Sequence, residues 1–251
     1  MCVTAKDMAL HLIGRYGMNG GAYQAIEFDG EAVQALSMSE RMTLSNMSAE
    51  MGSQVGLIAP DEITRTWLRQ AGAPDAPEGN WCTDEGADCE TREFDAATLA
   101  PQVAAPHSPA NTHAVDVLSD TPVQVGYIGA CTGAKLEDLR AAAAVLRGQR
   151  LPSGVMLKVA PASVQDQARA EQEGVMAQLR QSGAEILPSS CGACSGYGGS
   201  IPDGTNVIAS TARNFRGRMG SATAQVYLAS PYTVAASVLR GRITDPREVL
   251  A

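Results

Sequence analysis

The sequence predicts an α/β protein built on mostly parallel sheets. Two observations carry this. Its second half alternates short apolar runs with helical segments, the order that a parallel sheet covered by helices imposes. Its 251 residues are 45% hydrophobic but only 4% aromatic. That suffices for one large or two ordinary domains, with cores filled by Ala, Val, Leu, Ile and Met rather than by rings.

The elements follow in order. Thr4-Ala-Lys-Asp7 reads as a capping box opening a helix through Leu12 and Ile13 to Gly17. Tyr23–Phe28 reads as a short strand ending at the turn Asp29-Gly30, and Ser39–Glu50 as a helix. The short apolar stretch Leu57–Ala59 precedes Pro60, and Ile63–Ala71 forms a helix closed by Gly72. Gly72–Asp95, rich in Gly, Pro and Asp, is expected to be a loop excursion carrying Cys82 and Cys89. Pro101–Asn111 holds three prolines and should be extended. Beyond it, Val123–Ile128, Val155–Val159, Glu185–Leu187 and Asn206–Ala209 read as strands. Leu136–Leu146, closed by Gly148, is an Ala-rich helix, and Ser163–Ser182 one long amphipathic helix. Ser230-Pro231 is an N-cap with proline at the first helical position, opening a helix to Arg240. A division into domains 1–118 and 119–251 follows from this pattern.

A net charge of -8 argues against a general nucleic-acid binder, whose phosphates require Lys and Arg. A local arginine pair in Thr211–Arg218 still allows an anionic substrate. No apolar run is long enough to cross a membrane, and the N-terminus lacks a basic-then-apolar signal pattern. The expectation is a cytoplasmic protein whose six cysteines are thiols.

Cys131 follows the first strand of the second half, and Cys191 and Cys194 follow the third. Ligands of open parallel sheets gather outside the carboxyl ends of strands, so these three thiols could converge. Both loops, Gly129-Ala-Cys-Thr-Gly133 and Ser189-Ser-Cys-Gly-Ala-Cys-Ser-Gly196, are rich in small residues that admit a bulky inorganic group. A Cys-x-x-Cys pair alone is also compatible with a redox couple, half a zinc site, or ordinary packing, with a metal site favoured. A structural zinc or an ordinary [4Fe–4S] cluster takes four protein ligands. Here three are well placed, whereas Cys2, Cys82 and Cys89 lie in less constrained stretches. Three ligands leave one iron open as a Lewis acid.

Several segments resemble the aconitase superfamily, and most of all the large subunits of 3-isopropylmalate dehydratase and homoaconitase. Ile128-Gly-Ala-Cys-Thr-Gly-Ala-Lys-Leu-Glu-Asp-Leu-Arg-Ala-Ala142 resembles the first cluster-ligand segment, and Cys191-Gly-Ala-Cys194 the second and third ligands. Ser210-Thr-Ala-Arg-Asn-Phe-Arg-Gly-Arg218 resembles the substrate-binding arginine segment. Arg41-Met-Thr-Leu-Ser-Asn-Met-Ser-Ala-Glu50 resembles the segment with an active-site Asn and Glu, and Pro101-Gln-Val-Ala-Ala-Pro-His-Ser-Pro109 also fits. These motifs occur in the family's order over nearly the whole chain.

The resemblance implies two three-layer α/β domains, the family's second and third. It implies a [4Fe–4S] cluster on Cys131, Cys191 and Cys194, whose fourth iron binds the hydroxyl and a carboxylate of a small hydroxy di- or tricarboxylate for dehydration, with rehydration at the adjacent carbon as an option. Asn46 and Glu50 would line the site, and Arg213 and Arg218 would bind substrate carboxylates through bidentate forks. The family's N-terminal domain, and the mobile small (swivel) domain carrying the serine base, match nothing here. Separate partner chains supplying both are the expectation. A truncated relative, a non-catalytic cluster-binding or sensing subunit, and a zinc protein using the same thiols are the rivals. Three positions depart from the family: Gly133 and Ala212 stand where Asn is usual, and Ala130 where Ser is usual.

Overall fold

The computed structural model describes residues 2–73, 79, 81–197 and 201–250. Helix α1 (Ala5–Tyr16) begins as the capping box requires. Thr4 donates its backbone N–H and its hydroxyl to Asp7 Oδ2 at 2.8 and 2.9 Å. Strand β1 (Ala25–Glu27) is shorter than expected, and the brief helix α2 (Glu31–Gln34) was not anticipated. Helix α3 (Met38–Met47) continues into a 3₁₀ turn, Ser48–Met51, so the expected Ser39–Glu50 helix tightens in its last turn. Strand β2 (Val55–Leu57) pairs in parallel with β1. Helix α4 (Glu62–Gln70) is capped by Asp61, whose carboxylate accepts from the N–H groups of Ile63 and Thr64. That carboxylate also takes both Arg41 terminal nitrogens, at 2.6 and 2.7 Å, tying α4 to α3. Residues 74–78 and 80 of the expected excursion lie outside the described residues; 81–95 form neither helix nor strand.

The proline-rich stretch supplies β3 (Gln102–Ala104), and β4 (Thr112–Ala114) follows just beyond it. Then come β5 (Val125–Ile128), α5 (Leu136–Val145), β6 (Met156–Val159), α6 (Val164–Gln172), α7 (Val175–Ser182), β7 (Glu185–Ile186), β8 (Asn206–Ala209), β9 (Gln225–Ala229) and α8 (Pro231–Arg240). The single long helix expected over Ser163–Ser182 is broken: Gly174 adopts a left-handed conformation (φ 75°), which ends α6 and starts α7. Strand β9 went unassigned in the sequence.

One seven-stranded sheet organises the chain, in the order β4-β3-β9-β8-β5-β6-β7. Strands β5 to β9 are mutually parallel, and β3 joins β9 antiparallel. The chain is thus α/β with a mostly parallel, mixed sheet. The sheet takes β3 and β4 from before residue 118. Its two faces follow the strand period of two. Val125, Tyr127, Val207, Ala209, Val226 and Leu228 pack in one cluster with α1 and α3. Ile128, Ile208 and Ala229 pack in the other with α5, α7 and α8. Among the described residues no helix is long and apolar enough to cross a membrane.

Candidate active site

From β5 the chain moves to β6 and β7 on one side, then returns to place β8 and β9 on the other. The strand order therefore reverses between β5 and β8, whose carboxyl ends flank a crevice of the kind that binds ligands. The Cys131 loop leaves β5, the Ser210–Arg218 segment leaves β8, and Cys191 and Cys194 follow β7 at the same end.

The loops are shaped by close packing. A Cβ on Gly129 would lie 2.2 Å from the Tyr127 ring, so only glycine fits there. Ala130 takes a left-handed conformation, φ 68°, directly before Cys131. Tyr127 rises beneath the second loop and donates its hydroxyl to Cys191 O at 3.2 Å. Burial pushes its ionisation up to about 12, so it stays a neutral donor. Cys194 N–H closes that loop on Cys191 O at 3.0 Å. Ser210 joins the crevice walls: its hydroxyl accepts from Gly129 N–H at 3.0 Å and donates to Gly133 O at 2.9 Å. A Cβ on Gly133 would lie 2.4 Å from Cβ, O and Oγ of Ser210. Ser210 fills the space of a side chain at 133, so a larger residue there requires the two loops to move apart.

Cations surround the thiols. Lys6 on α1 is 2% exposed. Its Nζ donates to Thr132 Oγ1 at 3.2 Å, Ser210 O at 2.7 Å and Thr211 O at 2.6 Å, bridging the crevice. Burial pulls its pKa down to about 7. Lys135 Nζ donates to Thr43 Oγ1 at 2.7 Å and Cys131 O at 2.8 Å, with Asp138 at 3.8 Å. Cys194 is buried, which pushes its thiol up, while Arg218 and Lys6 hold the rise back. Arg218 Nε is buried without a hydrogen-bond partner among the described residues. Cys131 and Cys191 are exposed.

The other expected residues stand close by. Glu50 is 4% exposed and accepts from Arg213 Nε at 2.6 Å, joining the 3₁₀ turn after α3 to the segment after β8. Asn46, one turn earlier and exposed, shares with Cys131 the wall of a cleft of ≈ 630 Å³ that Met38, Met42, Leu57 and Ile58 also line. Among the described residues no three His, Cys, Asp or Glu side chains gather tightly enough to hold a single metal ion. Thiols around an iron–sulfur cage stand farther apart than thiols around one ion. Three thiols, a ring of cations and a buried guanidinium nitrogen lacking an acceptor suit an anionic, thiolate-held group.

The sequence matches the Aconitase family (aconitate hydratase) over residues 1–120 and 113–241. The chain belongs to the aconitase family. This family member is 41% identical to the 3-isopropylmalate dehydratase large subunit of Elusimicrobium minutum, over 99% of the chain and 60% of that protein. It is 42% identical to the large subunit of Nitratidesulfovibrio vulgaris, over 97% and 58%, and 40% identical to large subunit 1 of Pyrococcus furiosus, over 99% and 59%. The aconitase-family chain thus spans about 60% of the length of these relatives.

Sequence reasoning missed Lys6, Tyr127 and Ser210. A signal existed for Lys6: with Leu10 and Ile13 it repeats at i, i+4 and i+7, an apolar stripe interrupted by a cation. Tyr127 and Ser210 read as ordinary strand and loop residues, since only the fold brings them under the cysteine loops.

Proposed function

We propose that this aconitase-family chain is the cluster-bearing part of a hydro-lyase that reversibly removes water from a hydroxy di- or tricarboxylate. Cys131, Cys191 and Cys194 would hold a [4Fe–4S] cluster. The observation that carries this is the convergence of both cysteine loops and the arginine segment at one end of the parallel sheet, ringed by Lys6, Lys135 and Arg218. When bound, a cluster with three thiolate ligands supplies an open iron as a Lewis acid that polarises a substrate oxygen.

The chain's own residues bind and orient. Arg213 and Arg218 take substrate carboxylates, for which a planar guanidinium is suited. Glu50 holds Arg213 in place and offers an acceptor at the substrate's hydroxyl end. Asn46 presents an amide at the cleft wall beside Cys131. We read residues 1–118 and 119–251 as the family's second and third α/β domains, with β3 and β4 of the first joining the sheet of the second. Partner chains would supply the N-terminal and small mobile domains. The span of about 60% of the relatives is consistent with this. A non-catalytic cluster subunit is the second reading, favoured by Gly133 and Ala212 standing where the family has Asn.

The test is anaerobic purification of the chain, alone and with its genomic neighbours, followed by assay of iron, acid-labile sulfide and zinc, then of turnover on hydroxy acids. Iron with equivalent sulfide, and turnover lost on Cys194→Ser, is the expected result. Zinc without sulfide would discard the reading, and a cluster without turnover in any assembly would leave the non-catalytic one.

A further inference from the structure

Charged side chains near the site are mostly paired: Arg213 with Glu50, Lys135 with Asp138, Arg41 with Asp61. Lys6 differs. It is fully enclosed, yet its Nζ meets only neutral oxygens, those of Thr132, Ser210 and Thr211, and pairs with no carboxylate among the described residues. The acid acting on it most is Asp138, already beside Lys135, and Asp7 next to it in sequence is turned away to Thr4 and Gln102 N–H. The next groups acting favourably on it are the Cys194 and Cys131 sulfurs. A buried cation without a counter-anion is costly, whereas one facing an anionic group is compensated.

We propose that Lys6 is the resident counter-cation of the thiolate-held cluster: a positioning residue that bridges the Cys131 and Arg213 loops and stabilises the cluster's negative charge. This rests on the cluster reading above. With three thiolate ligands the cluster is anionic, and reduction makes it more so. A fixed positive charge beside it favours the reduced form, as nearby charge and hydrogen bonds tune such potentials. The same ammonium holds Thr132, next to Cys131, against Ser210 and Thr211, two residues before Arg213. Charge and geometry at the site are set by one atom.

The experiment takes the full chain, reconstituted anaerobically with ferrous iron and sulfide, as wild type, Lys6→Met, Lys6→Gln and Lys6→Arg. Folding of each apoprotein is followed by circular dichroism, and each cluster by electron paramagnetic resonance during potentiometric titration. In both neutral variants the midpoint potential should move negative and cluster loss to chelator should be faster, while Lys6→Arg stays near wild type. A folded neutral variant with the wild-type potential overturns the inference and leaves the cluster reading standing. Failure of both neutral variants to fold as apoproteins assigns Lys6 a purely structural role and also overturns it. Failure of the wild type to take up iron and sulfide removes the cluster reading, and this inference with it.

Discussion

Restoring the family's usual residue at position 133 should damage this chain. The first side-chain atom of Gly133→Asn would sit 2.4 Å from three atoms of Ser210, one of them the backbone oxygen, which no rotamer change can move. Overpacking of a tight interior costs about 1–3 kcal/mol. Displacing Ser210 also endangers its bonds to Gly129 N–H and Gly133 O, worth about 1 kcal/mol each. A loss of about 3 kcal/mol is expected, read by urea unfolding of the apoprotein with the slope checked for constancy. Ser210→Gly alone should cost about 1–2 kcal/mol, from the same two bonds. Combined with Gly133→Asn it removes two of the three clashing atoms, so the double variant should be more stable than the sum of the singles by ~1 kcal/mol or more. Wild-type stability in Gly133→Asn, or strict additivity, would refute the reasoning that Ser210 dictates glycine here.

Other outcomes follow from the same structure. Arg213→Ala leaves Glu50 buried without its cation. Because Arg213 is 41% exposed, the cost is discounted to about 1–2 kcal/mol in urea unfolding. Adding Glu50→Gln should recover part of it, and a further loss would contradict the pairing. Asp7 and Asp61 act oppositely with pH. Burial raises Asp7 to about 6 from 3.8. The folded state therefore holds that proton more tightly, and its stability should fall by up to about 3 kcal/mol as pH rises from about 4 through 6. Wild type and Asp7→Asn showing the same change across that window would exclude this. The Arg41 guanidinium lowers Asp61 to about 2. Its contribution is present above about 4 and lost as pH falls through 2, so Arg41→Met should flatten the acid limb of the unfolding curve.

Much of the fold was legible because local signals agreed with the tertiary outcome. Helix α8 declared itself through Ser230-Pro231 and ended at Gly241, and α5 through its alanines. The parallel strands declared themselves as apolar runs between helices. What stayed hidden depended on context. Gly174 reads as a tolerated interruption of an amphipathic helix until its left-handed conformation shows a break. Strand β9, Gln-Val-Tyr-Leu-Ala, is short but strand-like in composition, and β8 and β3 on either side fix its place in the sheet. The thiols and arginines were visible as motifs. The groups that hold them, Lys6, Tyr127 and Ser210, are single letters whose roles exist only once distant strands are neighbours.

The placement of β8 has a consequence for how the chain becomes competent. It lies beside β5, though β6 and β7 come between them in sequence. Until β8 arrives, one edge of β5 is unpaired, and such an edge invites pairing with another chain. Lys6, near the start, has no acceptors at Ser210 and Thr211 until the same moment. The Cys131 loop therefore lacks its contacts with Ser210 and Lys6 until β8 is in place. Closing that gap in the sheet is a long-range event, slow in principle because the loop-closure entropy is lost before the contacts are gained. The cysteine loops themselves leave β5 and β7, which β6 joins directly; what β8 adds is the brace that fixes the Cys131 loop through Ser210 and Lys6.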